Sequence, residues 1–202
     1  MASTASPYGL RAVNEIGGLP YAGSTRSLLI DPAGYAVNIY NGTVVYVNSS
    51  GYINIVTGTG ADGTTNSFPG SGTLTGAVGV FVGCSYINAQ GQQIYAQYYP
   101  ANTTGVVTAY VVDDPNVVFQ VQANGAMAQT TLGNNVYFAN AQSTSTGSTT
   151  TGNSNVAVST SSVTTTAAFR IIGFASGPGD AYTDLLVKFN PGYHSYTNAV
   201  GV

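Results

Sequence analysis

Apolar and polar residues alternate along most of this chain in short runs broken by Gly, Asn, Asp and Pro, the period of two that marks β-strands. The stretch 77–100, AVGVFVGCSYINAQGQQIYAQYYP, organises the rest. Alternation sets Val80, Val82, Cys84 and Tyr86 on one side and Phe81, Gly83, Ser85 and Ile87 on the other, so both faces are covered. That is the pattern of a central strand. Residues 88–91 reverse the chain, since Asn tolerates and Gly permits a positive φ, and 94–99 returns with three tyrosines.

The same reading carries along the chain. Strands are predicted at 28–30, 35–40, 43–47 and 52–57, with Asp31, Pro32, Ala33 and Gly34 as the first turn and Asn41-Gly42 as a tight type I′ reversal, so the last three form a meander. Residues 58–76 are polar and glycine-rich, a surface loop. Strands at 106–112 and 117–123 flank Asp113, Asp114, Pro115 and Asn116 as a second tight hairpin. A single helical turn fits 125–133, and further strands fit 136–139, 156–160, 167–175 and 182–189. Residues 142–155 are almost wholly Ser, Thr, Gly, Asn and Gln, a linker or long loop.

No long amphipathic helix is present in this pattern. The expected class is all-β, an antiparallel β-sandwich or barrel with an extended N-terminal arm at 1–27 and an ordered C-terminal tail at 191–202. The β domain between them, 28–190, is one unit or two subdomains with the Ser/Thr-rich loop inside it. The arm follows neither helical nor strand spacing; its roughly 27 residues either extend on the order of 80 Å, well beyond their own domain, or form a disordered terminus.

Composition changes the picture in one respect. Only 5% of the 202 residues are charged, against about 25% in ordinary soluble proteins. Solubility must come from hydroxyls and amides, and with a single Lys the sheet edges are poorly guarded against pairing. Such edges are expected to end against a partner or another copy, which points to an assembly protein. A net charge of −3 with four cations makes nucleic-acid binding an unsuitable role. No apolar run reaches the roughly 20 residues of a membrane span, and the first residues lack the pattern of an export signal.

Candidate chemistry is sparse. His194 is the only histidine, and without a nucleophile elbow it reads as a surface or interface residue. Cys84, flanked by valines and no cation, reads as a buried structural thiol. One His and one Cys do not make a zinc site. Asp113 and Asp114 lack the dense acidic spacing of a calcium loop and fit a turn. The 15 tyrosines suit interfaces and cores better than a sugar-binding face, which would also need acids and amides around the rings. No metal, cofactor or catalytic residue is expected.

Five segments, SPYGLRAVNEIGG, GYAVNIYNGTVVYVNSSGYI, GVFVGCSYINAQGQQIYAQYYP, AYVVDDPNVVFQVQANG and AAFRIIGFASGPGDAYTDLLVKFNPGYHSY, together resemble head decoration (cement) proteins of tailed bacteriophages. The resemblance spans nearly the whole chain; very low charge and the 142–155 insert depart from it. It implies a non-enzymatic homotrimer on the outer surface of the virion's icosahedral head, with the major capsid protein as partner. It also assigns contacts to the arm and the tail. The candidate capsid or subunit interface is therefore Tyr8, Arg11 and Arg26 on the arm with Tyr193, His194 and Tyr196 on the tail. The alternatives are a receptor- or glycan-binding module of a tail fibre or surface protein, and, third, a small hydrolase.

Overall fold

The computed structural model describes residues 3–56, 76–139 and 146–198, and these described residues form eleven short strands. Two antiparallel sheets pack as a sandwich, as the alternation predicts. The five-stranded sheet runs β1 (Arg11–Glu15), β8 (Val117–Gln122), β11 (Asp184–Phe189), β10 (Phe169–Phe174), β9 (Asn135–Val136). The six-stranded sheet runs β2 (Arg26–Ile30), β7 (Val107–Val112), β5 (Gly79–Ile87), β3 (Thr43–Val47), β4 (Ile53–Ile55), and β6 (Gln93–Ala96) also pairs with β5. Among the described residues no helix is long and apolar enough to cross a membrane.

Strand β5 is central and buried on both sides, as its sequence requires. Val80 joins the core between the sheets, where Phe119, Phe169 and Phe189 cluster with ring centroids 5.0–5.7 Å apart. Phe81 faces the opposite way, into a second core with Ile39, Ile53, Tyr99 and Val111. That second core has no opposing sheet. The six-stranded sheet curls until β2 approaches β4, and the segments holding Tyr35, Ile39 and Tyr99 close over the hollow. Tyr99 is sealed in by its hydroxyl, which accepts from Tyr35 N at 3.0 Å and donates to the Thr103 carbonyl at 3.1 Å.

A bulge between Phe81 and Gly83 corrects the expected faces of β5. The extra residue puts Val82 beside the inter-sheet core, so Cys84 and Tyr86 turn to the second core with Phe81. Strand 35–40 is not formed; only Ile39 bridges Tyr99, and the segment serves as a cover rather than a sheet member. The expected meander is accordingly replaced by the β3–β4 hairpin, and β2 pairs with β7. The Asp113–Asn116 turn is tight, with Asn116 N donating to Asp114 Oδ1 at 2.8 Å. It joins β7 and β8, which belong to different sheets, so it is an arch between layers rather than a hairpin. The turns at 31–34, 48–51, 88–91 and 177–180 close as expected, and the short helical turn is a 3-10 turn at Gln129–Thr131. Residues 156–160 contribute bridges at Val158 and no strand.

The ends and the Ser/Thr-rich stretch also differ from expectation. Residues 3–15 lie on their own body: β1 pairs with β8, and Leu10, 1% exposed, enters the inter-sheet core. Ser6 N donates to Gln122 Oε1 at 2.8 Å, and Gly9 N to the Val156 carbonyl at 3.2 Å. One well-placed leucine and an edge strand outweigh the irregular spacing that predicted a free arm. Of the 142–155 stretch, the part from 146 packs against the body, with Thr146 and Ser154 buried and Gly147 against the Tyr40 ring. Small side chains suit such close approach. The expected loop at 58–76 and the residues 142–145 and 199–202 lie outside the described residues, apart from Gly76.

Gly79 gives the sharpest test of this packing. A Cβ there would lie 2.0 Å from the Val112 carbonyl oxygen of the neighbouring strand. Gly79→Ala is expected to cost about 3 kcal/mol or more, read from denaturant unfolding. A loss below about 1 kcal/mol would contradict the β5–β7 register.

Candidate interface

The six candidate residues separate into three environments. Tyr8 and Arg11 form one pair on the N-terminal segment, with the Arg11 guanidinium 4.5 Å from the centre of the Tyr8 ring. The Tyr8 hydroxyl donates to Asp184 Oδ1 at 2.9 Å, tying the segment to β11. Burial, and then the Asp184 carboxylate, push the Tyr8 phenol well above its ordinary pKa, so it remains a donor. This contact fastens the segment to its own sheet.

Arg26 and Tyr196, far apart in sequence, meet at Asp113. The Asp113 carboxylate pairs with the Arg26 guanidinium and accepts from the Tyr196 hydroxyl at 2.7 Å, and Arg26 lies 5.6 Å from the Tyr196 ring centre. The arch between β7 and β8 presents the acid, the start of β2 the cation and the tail the phenol. Arg26 and Tyr196 remain solvent-exposed, so water screens the cluster and it is a weak surface clamp. Asp113 was assigned only to a turn by its sequence. Nothing local signals that a tail some 80 residues later would return to it.

Tyr193 and His194 are interior, which removes them from a surface interface. Tyr193 joins the inter-sheet core, and His194 is 1% exposed between Phe189 and Tyr196, with ring centroids 5.4 and 5.2 Å away. The tail is pinned by backbone bonds from Ala77 N to the Tyr193 carbonyl and from Ser195 N to the Ala77 carbonyl, both 2.8 Å. His194 Nδ1 accepts from Tyr196 N at 3.3 Å, starting a 3-10 turn at Ser195–Thr197. Burial lowers the imidazole pKa to about 4 despite the opposing fields of Asp113 and Asp114. Cys84 is likewise buried, its thiol pushed up to about 12 by desolvation, which leaves it un-ionised and unreactive at neutral pH.

A groove of about 300 Å³ lies where β1 meets the six-stranded sheet, lined by Leu10, Arg11, Tyr21, Asn41, Val82 and Val112 among others. It offers a guanidinium, an amide and a phenol against valine walls. Among the described residues no three His, Cys, Asp or Glu side chains gather as a metal site would need.

What the sequence did not single out is a projecting tip. After β1 the chain turns back on itself, with Glu15 N bonded to the Leu19 carbonyl at 2.8 Å and Tyr21 N to the Val13 carbonyl at 3.3 Å. The turn holds Gly17 and Gly18 at φ 103° and 85°, and its shoulders Ile16 and Leu19 are 49% and 66% exposed. The signal was the Ile-Gly-Gly-Leu sequence itself, a glycine turn between two apolar residues. In comparisons with known proteins the chain matches no family model, no curated protein and no solved structure.

His194 makes stability depend on pH. Its folded pKa lies below the unfolded value near 6.5, so stability is full above that value and falls as pH drops toward about 4, because the unfolded chain takes up the proton first. Between pH 7.5 and 4.5 the wild type should lose about 2.5 kcal/mol more than His194→Gln, measured by denaturant unfolding at both pH values. Equal losses would place His194 in contact with water.

Proposed function

We propose that this chain is a non-enzymatic structural protein of a phage virion, a decoration or cement protein that binds the outside of the icosahedral head and stabilises the shell. It acts as a homotrimer on the major capsid protein. The resemblance of its five segments to that family suggests the role. The observation that carries it physically is the Ile16–Leu19 tip, which holds two large apolar side chains out from a body with almost no charge.

An apolar tip on a glycine turn suits insertion between neighbouring shell subunits, where burying both side chains contributes roughly 1.5–3 kcal/mol each at full burial. A shell repeats its site many times, so modest contacts from linked copies add in effective affinity. The N-terminal segment thus acts from its folded position, held by Leu10 and β1, and not as a free strap.

Truncating residues 1–27 would remove Leu10 from the core and β1 from β8, so substitutions at the tip are the cleaner test. Ile16→Glu and Leu19→Glu should leave the melting temperature within a few degrees of wild type and weaken co-sedimentation with expanded, undecorated heads by at least about tenfold each. Saturable binding of the wild type in a fixed ratio to the major capsid protein is the expected control. No binding by the wild type would overturn the role, and full binding by both variants would overturn the tip.

A further inference from the structure

Three of the four cations in the chain stand on one side of the five-stranded sheet, the side turned away from the core between the sheets. Val117, Phe119 and Val121 of β8 enter that core, so alternation turns Gln120 the other way, and the ladder row Arg11, Gln120, Leu186, Gly173 crosses four strands with it. Two residues further along β11, Lys188 stands directly opposite Arg170. The fourth cation, Arg26, lies on the other sheet and holds Asp113, the only ion pair among the described residues. Like charges directly opposite in an antiparallel pair repel, and no carboxylate of the described residues pairs with either of these two. Asp184 is the one acid on this side of the described strands, and it accepts from the Tyr8 hydroxyl.

Neutral groups hold two of the three cations in place. Arg170 Nε donates to Asn135 Oδ1 at 3.2 Å, and Asn135, 6% exposed, also accepts from Asn190 Nδ2 at 3.0 Å and donates to the Thr165 carbonyl at 2.7 Å. This buried amide network fixes one edge of an exposed guanidinium and leaves its terminal nitrogens free of partners among the described residues. Arg11, also exposed, rests on the Tyr8 ring. Ordinary strand spacing and rise set the Arg11 backbone roughly 12 Å from that of Lys188, and half-buried Leu186 stands between them.

We propose that this face docks an acidic segment of a partner protein, one carboxylate taken by Arg170 and Lys188 together and a second by Arg11. Charge selects that occupant. A guanidinium held by its Nε edge presents a fork that a carboxylate matches with two hydrogen bonds, and an anion set between Arg170 and Lys188 replaces their repulsion with attraction to both. A nucleic acid fits poorly, because its affinity grows with the number of phosphates neutralised and three cations stand here on a chain of net charge −3. An anionic bilayer is held by clusters of about four to eight cations. A segment with two or three carboxylates matches what this face offers. The contact does not rest on the Ile16–Leu19 tip or on a shell, so either proposal can fail alone.

The probe is a hexaglutamate peptide, acetylated and amidated, titrated into the isotope-labelled full chain while NMR follows the arginine side-chain N–H signals. Those of Arg170 and Arg11 should shift with a dissociation constant on the order of 1 mM, weakening at least about tenfold between roughly 0.05 and 0.5 M salt. Lys188→Glu sets an acid opposite Arg170, so it should keep or raise the melting temperature while weakening the peptide at least about tenfold. Arg170→Gln should weaken binding at least about threefold, whereas Arg26→Gln, which removes the same unit charge from the other sheet, should leave it within about twofold. No shift up to about 10 mM peptide would overturn the proposal. So would binding indifferent to both Lys188→Glu and Arg170→Gln, or inorganic phosphate or a thymidine hexanucleotide binding as tightly as hexaglutamate.

Discussion

Burial of β5 on both faces is the constraint from which the rest of this structure follows. A strand of nine residues with apolar groups on each side must be covered twice, and one opposing sheet covers only one side. The five-stranded sheet supplies that cover through Phe119, Phe169 and Phe189. The other side is closed by curling the sheet on itself and laying two tyrosine-bearing segments across it. The bulge at Val82 adjusts between these demands, since without it Cys84 and Tyr86 would point to the side that lacks cover at that end of the strand. The same end is where the outer face emerges uncovered at Tyr95 and Leu29.

Local chemistry made the strands and most turns legible. Asn88 announces its reversal because its carboxamide oxygen accepts from both Gln90 N and Gln92 N, at 3.0 and 2.9 Å, a geometry that needs no distant partner. The failures share the opposite property. Residues 35–40 alternate like a strand, yet Tyr35, Val37 and Ile39 face a hollow that exists only after β3, β5 and β7 have assembled. The Asp113–Asn116 turn is compatible with a hairpin and with an arch, and only the pairing of β8 with β1 and β11 decides between them. His194 looked like a surface residue because its neighbours in sequence are Tyr and Ser, whereas Phe189 and Ala77 enclose it from elsewhere. Of the candidate interface, Arg26 and Tyr196 are exposed and meet one another. Their common partner Asp113 was not legible, since a carboxylate at a turn carries no mark of what will dock on it.

Sparse charge has a structural use beyond solubility. Sheet edges are ordinarily protected by Lys or by inward-pointing charge, and here they are protected by coverage instead. Residues 19–21 fold back over the outer side of β1, and residues 3–10 run across the ends of β8 and β11. The N-terminal segment thereby changes meaning. It is sequence spent on closing an edge, with its unspent apolar residues gathered at the Ile16–Leu19 tip.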